Sequence, residues 1–381
     1  MTTLENVFTQ PTADGKESVK TSSTQTASAV RTQEQVIYVK VVRAFAMLVI
    51  VTFHVTFPLI YLYNSISYSD WWIANNFYIW GKIGSPLFTM VSGMLLLNPS
   101  KDQPITVFFK KRFVKVLLPF VFWSLIYLLW RIFIRGDAFT PKQALVLFIE
   151  GPVYYHLWFI QMILGLYLAT PILRIYIRHA KRENLTYFLI VWFVTDSLLP
   201  LTSRFLGFKI GIDVVVTTGY VGFFVLGYYL RDVTLTRRQV IPVLLTIVTL
   251  LLFTQYATHA LTVRNQGAFD NFFVLNDSFN LVIVALGLFL IFKSIDYELL
   301  FHKFFFLEKI VLWISSCSLG VYFVHVVIIE ELAGGRLGFI LNANSFNPLI
   351  SIPAISLLVM VLSVGATMLL KQVPLVRNIV P

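Results

Sequence analysis

The sequence predicts an all-α, polytopic membrane protein with about ten transmembrane helices, N-in and C-in. Three observations carry that expectation. The 381 residues are 57% hydrophobic and only 13% charged, too few charges to cover the surface of a soluble core of this size. The apolar residues fall in runs long enough to cross the ~30 Å hydrocarbon core as helices. Lys and Arg gather in alternate loops, as the positive-inside rule requires.

Residues 1–35 are rich in Thr, Ser, Gln and Ala, and the sequence predicts a disordered cytoplasmic tail there. The tail lacks an apolar centre and a small-residue cleavage site, so it does not read as a signal peptide. A membrane domain over 36–373 follows, then a short cytoplasmic tail over 374–381. The apolar segments lie at 36–62, 78–97, 113–134, 154–173, 184–200, 213–230, 239–258, 276–293, 310–329 and 347–370. Pro200 and Pro242 sit near the ends of the fifth and seventh segments, which are the least regular of the ten. With both termini inside, the inner loops hold most of the 30 Lys and Arg residues; nine or eleven crossings would break that alternation.

The formal charge of +11 is spread over short loops. Nucleic-acid binding needs it gathered on one soluble face, so that class is excluded. The single cysteine, Cys317, rules out a disulfide within the chain and a cysteine-based metal centre. No HxxxH or HExxH spacing points to a metal. The absence of GxxxxGK and GxGxxG argues against nucleotide hydrolysis and dinucleotide redox chemistry. No loop is long enough to hold a soluble catalytic domain.

The first segment, YVKVVRAFAMLVIVTFHVTFP over Tyr38–Pro58, carries Arg43 and His54. Eleven residues of helix place them on nearly the same face, about 16 Å apart along the axis. An ionisable group within a span costs roughly 2.5–3.5 kcal/mol on insertion scales, so such residues point to function. Snorkelling of Arg43 to the interface is the plain alternative. Two polar stripes accompany them: Lys82, Ser85, Thr89 and Ser92 in the second segment, and Ser315, Ser318, Tyr322 and His325 in the ninth. Both must face the protein interior or a wet cavity, because lipid offers no hydrogen bonds. Helix packing explains the small residues of these stripes as well, but Tyr322 and His325 are too large for it.

On this topology Arg43 lies toward the cytoplasm, and His54, His156 and His325 gather in the outer half. Glu150, Asp196, Asp213, Asp277, Glu330 and Glu331 lie near outer helix ends. Histidine beside a carboxylate is the usual equipment for deprotonating a hydroxyl. His179, His259 and His302 read as surface residues. Lys110, Lys111, Arg112 and Lys115 form a cationic patch at the inner start of the third segment. It reads as a topology anchor or as a phosphate site, for example for the diphosphate and 3′-phosphate of coenzyme A. The aromatic cluster from Tyr61 to Trp80 reads as an interfacial belt or as a platform for sugar rings.

The arrangement Arg43-x10-His54 resembles the first-helix signature of the bacterial acyltransferase-3 family. SPLFTMVSGMLLL (85–97), FFKKRFVKVLLPFVFW (108–123), YYHLWFIQMILGLYLATPIL (154–173) and SLGVYFVHVVII (318–329) extend the resemblance, in order, over nearly all of 36–370. The YYHLWF and SLGVYFVH forms look most like the branch that O-acetylates enterobacterial common antigen. The resemblance implies a multi-pass enzyme of the bacterial plasma membrane. It would take acetyl-CoA from the cytoplasm as co-substrate, with no bound cofactor. The acceptor would be a hydroxyl of a surface glycan or lipid-linked oligosaccharide.

The family's Arg and His fall on Arg43 and His54. Its Arg-x-x-Arg element falls on Arg112 and Lys115, where Lys keeps the charge but loses the bidentate fork. Lys40 stands where many members have Asp. The hydrolase-like C-terminal domain of some members is missing. The resulting expectation has Lys111, Arg112 and Lys115 on the coenzyme A phosphates. Arg43 orients the donor arm or stabilises charge on the thioester oxygen, and His54 is the general base. Glu150, His156, Trp158, Tyr322 and His325 belong to the acceptor side. The rival classes are a glycan or small-solute transporter, which ten spans with buried polar stripes also fit, and a non-catalytic partner in polysaccharide assembly.

Overall fold

The computed structural model describes residues 15–99, 103–211, 214, 219–374 and 376–380, with side chains from residue 37 onward. Asp213 and the first fourteen residues of the expected tail lie outside the described residues. Those described form helices and no strand. Eight stretches are long and apolar enough to cross a membrane: Ile37–Ile60, Ile105–Phe133, Pro141–His179, Arg182–Leu206, Arg237–Arg264, Phe272–Lys293, Phe305–Ala333 and Pro348–Gln372. They correspond to eight of the ten expected segments.

The first helix, α1, runs from Gly15 to Ile60, so the backbone of residues 15–35 is helical where a disordered tail was expected. Ala, Gln, Lys, Glu and Arg are good helix formers, and extending an existing helix avoids the nucleation penalty. The tail expected at 374–381 also differs. Val380 is fully buried, and the Ile379 carbonyl accepts a hydrogen bond from Trp123 Nε1 at 3.0 Å.

The second expected span is two helices, α2 (Tyr68–Lys82) and α3 (Gly84–Leu96), joined at Ile83. Pro86 causes the break. It has no N–H for the Lys82 carbonyl, and its ring crowds that carbonyl. Ser67 caps α2, its hydroxyl accepting from the Asp70 N–H at 3.1 Å. The expected span at 213–230 is reduced to a ten-residue helix, α10 (Tyr220–Tyr229). The two short helices pack together closely because Gly93 and Gly227 face each other's backbones. A Cβ on Gly93 would fall on the Phe224 carbonyl, and one on Gly227 on the Met90 carbonyl.

The third crossing is α4 (Ile105–Arg112), a π-helical turn over Phe113–Leu117, and α5 (Leu118–Phe133). Here Pro119 has no N–H to offer the Lys115 carbonyl four residues back, consistent with the π-helical turn just before it. Next come α6 (Pro141–Glu150), a 3₁₀ turn over Tyr155–Leu157, and α7 (Trp158–His179). The fifth crossing joins α8 (Arg182–Trp192) to α9 (Leu199–Leu201) through a π-helical turn over Phe193–Leu198, and a second such turn over Thr202–Leu206 follows. The remaining helices are α11 (Arg237–Arg264), α12 (Phe279–Lys293), α13 (Tyr297–Lys303), α14 (Phe305–Ala333) and α15 (Pro348–Gln372). α1 is the hub, packed against α2, α3, α12, α14 and α15. Its polar residues are therefore shielded from lipid, which the cost of keeping an ionisable group at membrane depth demands.

Candidate active site

Two polar regions line the interior, one cationic and one built of imidazoles. The cationic region consists of two cavities that share Arg43, Ser92, Arg112 and Tyr167. One cavity, of about 450 Å³, adds Gln103, Lys111 and Arg174. The other, of about 380 Å³, adds Lys115, Phe159, Ser315, Ser318 and Tyr322. Among the described residues, no Asp or Glu lines either cavity. Cations gathered without carboxylates attract an anion, and low-dielectric walls strengthen that field.

Two of these cations, Arg112 and Arg174, rest against aromatic faces. The Arg112 guanidinium lies 5.1 Å from the Phe108 ring and 5.4 Å from the Tyr167 ring. Arg174 stands 5.1 Å from Phe108, and its Nε donates to the Leu96 carbonyl at 2.7 Å. Stacking of this kind positions a guanidinium and leaves its in-plane N–H groups for a ligand. The Nε atoms of Arg43 and Arg112 are buried with no hydrogen-bond partner among the described residues, which a ligand acceptor would satisfy. Lys111 is exposed and donates to Gln103 Oε1 at 3.0 Å.

The imidazole region lies beyond Tyr322. His54 is 7% exposed, and His156 and His325 are 0% exposed. His325 Nε2 and His54 Nδ1 are 3.0 Å apart, and His325 Nδ1 lies 3.0 Å from the Val321 carbonyl one turn back. The His156 ring centroid is 5.5 Å from that of His325 and 6.2 Å from that of His54. Tyr322 donates to the His156 carbonyl, pinning the turn before α7 onto α14. Tyr127 packs on His156 at 4.7 Å and donates to the Phe323 carbonyl at 2.6 Å. Tyr155 stacks on Phe57 and lies 5.6 Å from His54. Among the described residues no group of three His, Cys, Asp or Glu could hold a metal ion.

Both polar stripes face this interior. Ser92, Ser315, Ser318 and Tyr322 line the cationic cavities. Thr89 is buried, and Lys82 Nζ lies 5.2 Å from the Phe53 ring, next to His54. His259, read from sequence as a surface residue, is partly buried and sits among Tyr63, Tyr68, Trp71 and Trp72, with Tyr63 Oη 3.3 Å from its Nε2.

Two sequence expectations fall elsewhere. Glu150 ends α6 and is exposed. A different carboxylate, Glu330, accepts from Trp130 Nε1 at 2.9 Å and from Tyr154, whose ring lies 5.8 Å from that of His156. Arg135 completes that cluster, 3.6 Å from Glu330, and its hydrogen bond with Tyr154 pushes its pKa up. Trp158, 38% exposed, packs on Tyr220 at 5.7 Å rather than on the histidines. Arg174 was missed. It follows the apolar run of α7, five residues before the helix ends at His179, where an arginine is indistinguishable from a topology anchor until Phe108 is placed beside it.

The acyltransferase-3 domain model matches residues 36–368. No curated protein and no solved structure matches the chain.

Proposed function

This chain belongs to the acyltransferase-3 family of membrane acyltransferases, and from that premise we propose that it is an O-acetyltransferase. It takes acetyl-CoA from the cytoplasm and delivers the acetyl group to a hydroxyl of a surface glycan or glycan lipid. The cationic cavities that run from Arg112 and Arg43 toward Tyr322, lined by no Asp or Glu among the described residues, carry this reading. Termini inside, in a bacterial plasma membrane, put the cations on the donor side and the histidines on the acceptor side. Coenzyme A brings two kinds of chemistry that the two cavities match. Its phosphates suit the cavity of Lys111, Arg112 and Arg174, and its less polar arm suits the one that passes Phe159 to Tyr322.

Arg43 lines both cavities and lies about 16 Å along α1 from His54. It therefore holds the donor near its phosphate end, and charge on the thioester oxygen beside His54 is beyond its reach. His54 takes the proton of the acceptor hydroxyl as the oxygen attacks the thioester carbon. The new C–O bond forms, the C–S bond breaks, and the proton passes from His54 to the departing thiolate. His54 returns to its neutral form.

The test is acetyl transfer from labelled acetyl-CoA by purified protein in detergent, with wild type, His54→Ala and Arg112→Ala side by side. Transfer by wild type and its loss in both folded variants is the expected result. An active His54→Ala protein overturns the assignment of the base. Coenzyme A binding that ignores Arg112 overturns the donor site.

A further inference from the structure

The hydrogen bonds around His54 settle which of its nitrogens can act, a point that rests on the reading of His54 as the base. A carbonyl oxygen only accepts. The 3.0 Å contact between His325 Nδ1 and the Val321 carbonyl therefore requires a proton on Nδ1 of His325. In the neutral ring its Nε2 is then a bare acceptor. That acceptor lies 3.0 Å from His54 Nδ1, so His54 carries its proton on Nδ1. The lone pair of His54 sits on Nε2, the nitrogen turned away from His325.

We propose that His325 is a positioning residue that holds His54 in the Nδ1–H tautomer and so presents Nε2 as the base toward the acceptor hydroxyl. His325 stands where a carboxylate orients the histidine of a catalytic triad. It differs from a carboxylate in being neutral and in handing its own proton to a helix carbonyl. When His54 Nε2 takes a proton, the Nδ1–H bond to His325 persists and stabilises the imidazolium until the proton passes on to the thiolate.

The surroundings fit this role. His325 is fully buried on α14, where α1 and α14 pack directly, so its ring cannot swing to solvent. His156, the third imidazole, has neither ring nitrogen hydrogen-bonded among the described residues and so does not compete for the His325 acceptor. The Ile50 carbonyl, one turn back on α1, also bonds the His54 ring. It is the rival means of fixing the tautomer, and the test must separate the two.

Glutamine and asparagine at 325 separate them. The glutamine amide reaches the place of Nε2, whereas the asparagine amide reaches only that of Nδ1. His325→Gln should keep kcat within about tenfold of wild type, while His325→Asn should lose about a hundredfold or more, the scale of general-base catalysis. KM for acetyl-CoA should stay unchanged in both. Equal activity of the two variants overturns the proposal, since the Ile50 carbonyl would then suffice. A second measurement needs no variant at 325: nitrogen-15 NMR of histidine-labelled protein, with the His54 signal assigned by its loss in His54→Gln. A protonated Nδ1 and bare Nε2 is the expected pattern, and the opposite tautomer overturns the proposal. Absence of acetyl transfer in wild type would count against the enzymatic reading while leaving the NMR result to decide the tautomer.

Discussion

Replacing Arg112 by alanine removes one of the two cations common to both cavities, and the size of the loss follows from what surrounds it. Arg112 is held between Phe108 and Tyr167, and among the described residues no Asp or Glu lines either cavity. The guanidinium therefore has no acid to release before binding a phosphate. A hydrogen bond to a charged group is worth about 1.5–3 kcal/mol, which corresponds to a weakening of coenzyme A binding by roughly 10- to 150-fold. Arg112→Lys keeps the charge but loses the planar stacking on Phe108, so it should fall between wild type and alanine. The assay is titration calorimetry of the detergent-solubilised protein with coenzyme A and, separately, with pantetheine, which lacks the phosphates. The alanine variant should lose affinity for coenzyme A alone, and wild-type affinity should fall as salt rises. An equal loss for both ligands would mean that Arg112 shapes the cavity rather than binding phosphate, and would refute the reasoning.

Gly93→Ala drives a Cβ onto the Phe224 carbonyl, and overpacking of this kind costs about 1–3 kcal/mol. Its melting temperature in detergent should drop, whereas Gly165→Ala, with nothing within 4 Å of the new carbon, should not lower it. An unchanged Gly93→Ala protein would mean that α3 and α10 are not in backbone contact. Trp123→Phe removes the hydrogen bond to the Ile379 carbonyl, about 0.5–1.5 kcal/mol. Carboxypeptidase digestion should then trim the C-terminus faster than in wild type, and equal rates would show that Trp123 does not hold it.

The carboxylate that Tyr154 and Trp130 hold, Glu330, shows how sequence and fold divide the information. Glu150 and Glu330 both lie near helix ends expected on the outer side, and nothing in the local pattern ranks them. Glu330 was singled out by Tyr154 and Trp130, residues far away in the chain. The break at Ile83 had a readable cause in Pro86, yet the unbroken run of apolar residues concealed it. Eight of the expected crossings were legible because each must satisfy the bilayer by its own length and composition.

The sequence by itself determined that this is a helical membrane protein, which helix faces turn inward, and that Arg43 and His54 share one of them. Those properties are local, since lipid tests every helix separately for polar groups and the 3.6-residue period aligns them. Only the tertiary structure decided that His325 meets His54 across 271 residues, and that Arg174 joins Arg112 around Phe108. Such pairings depend on which helices pack together and at what depth, and neither has a signature within one helix.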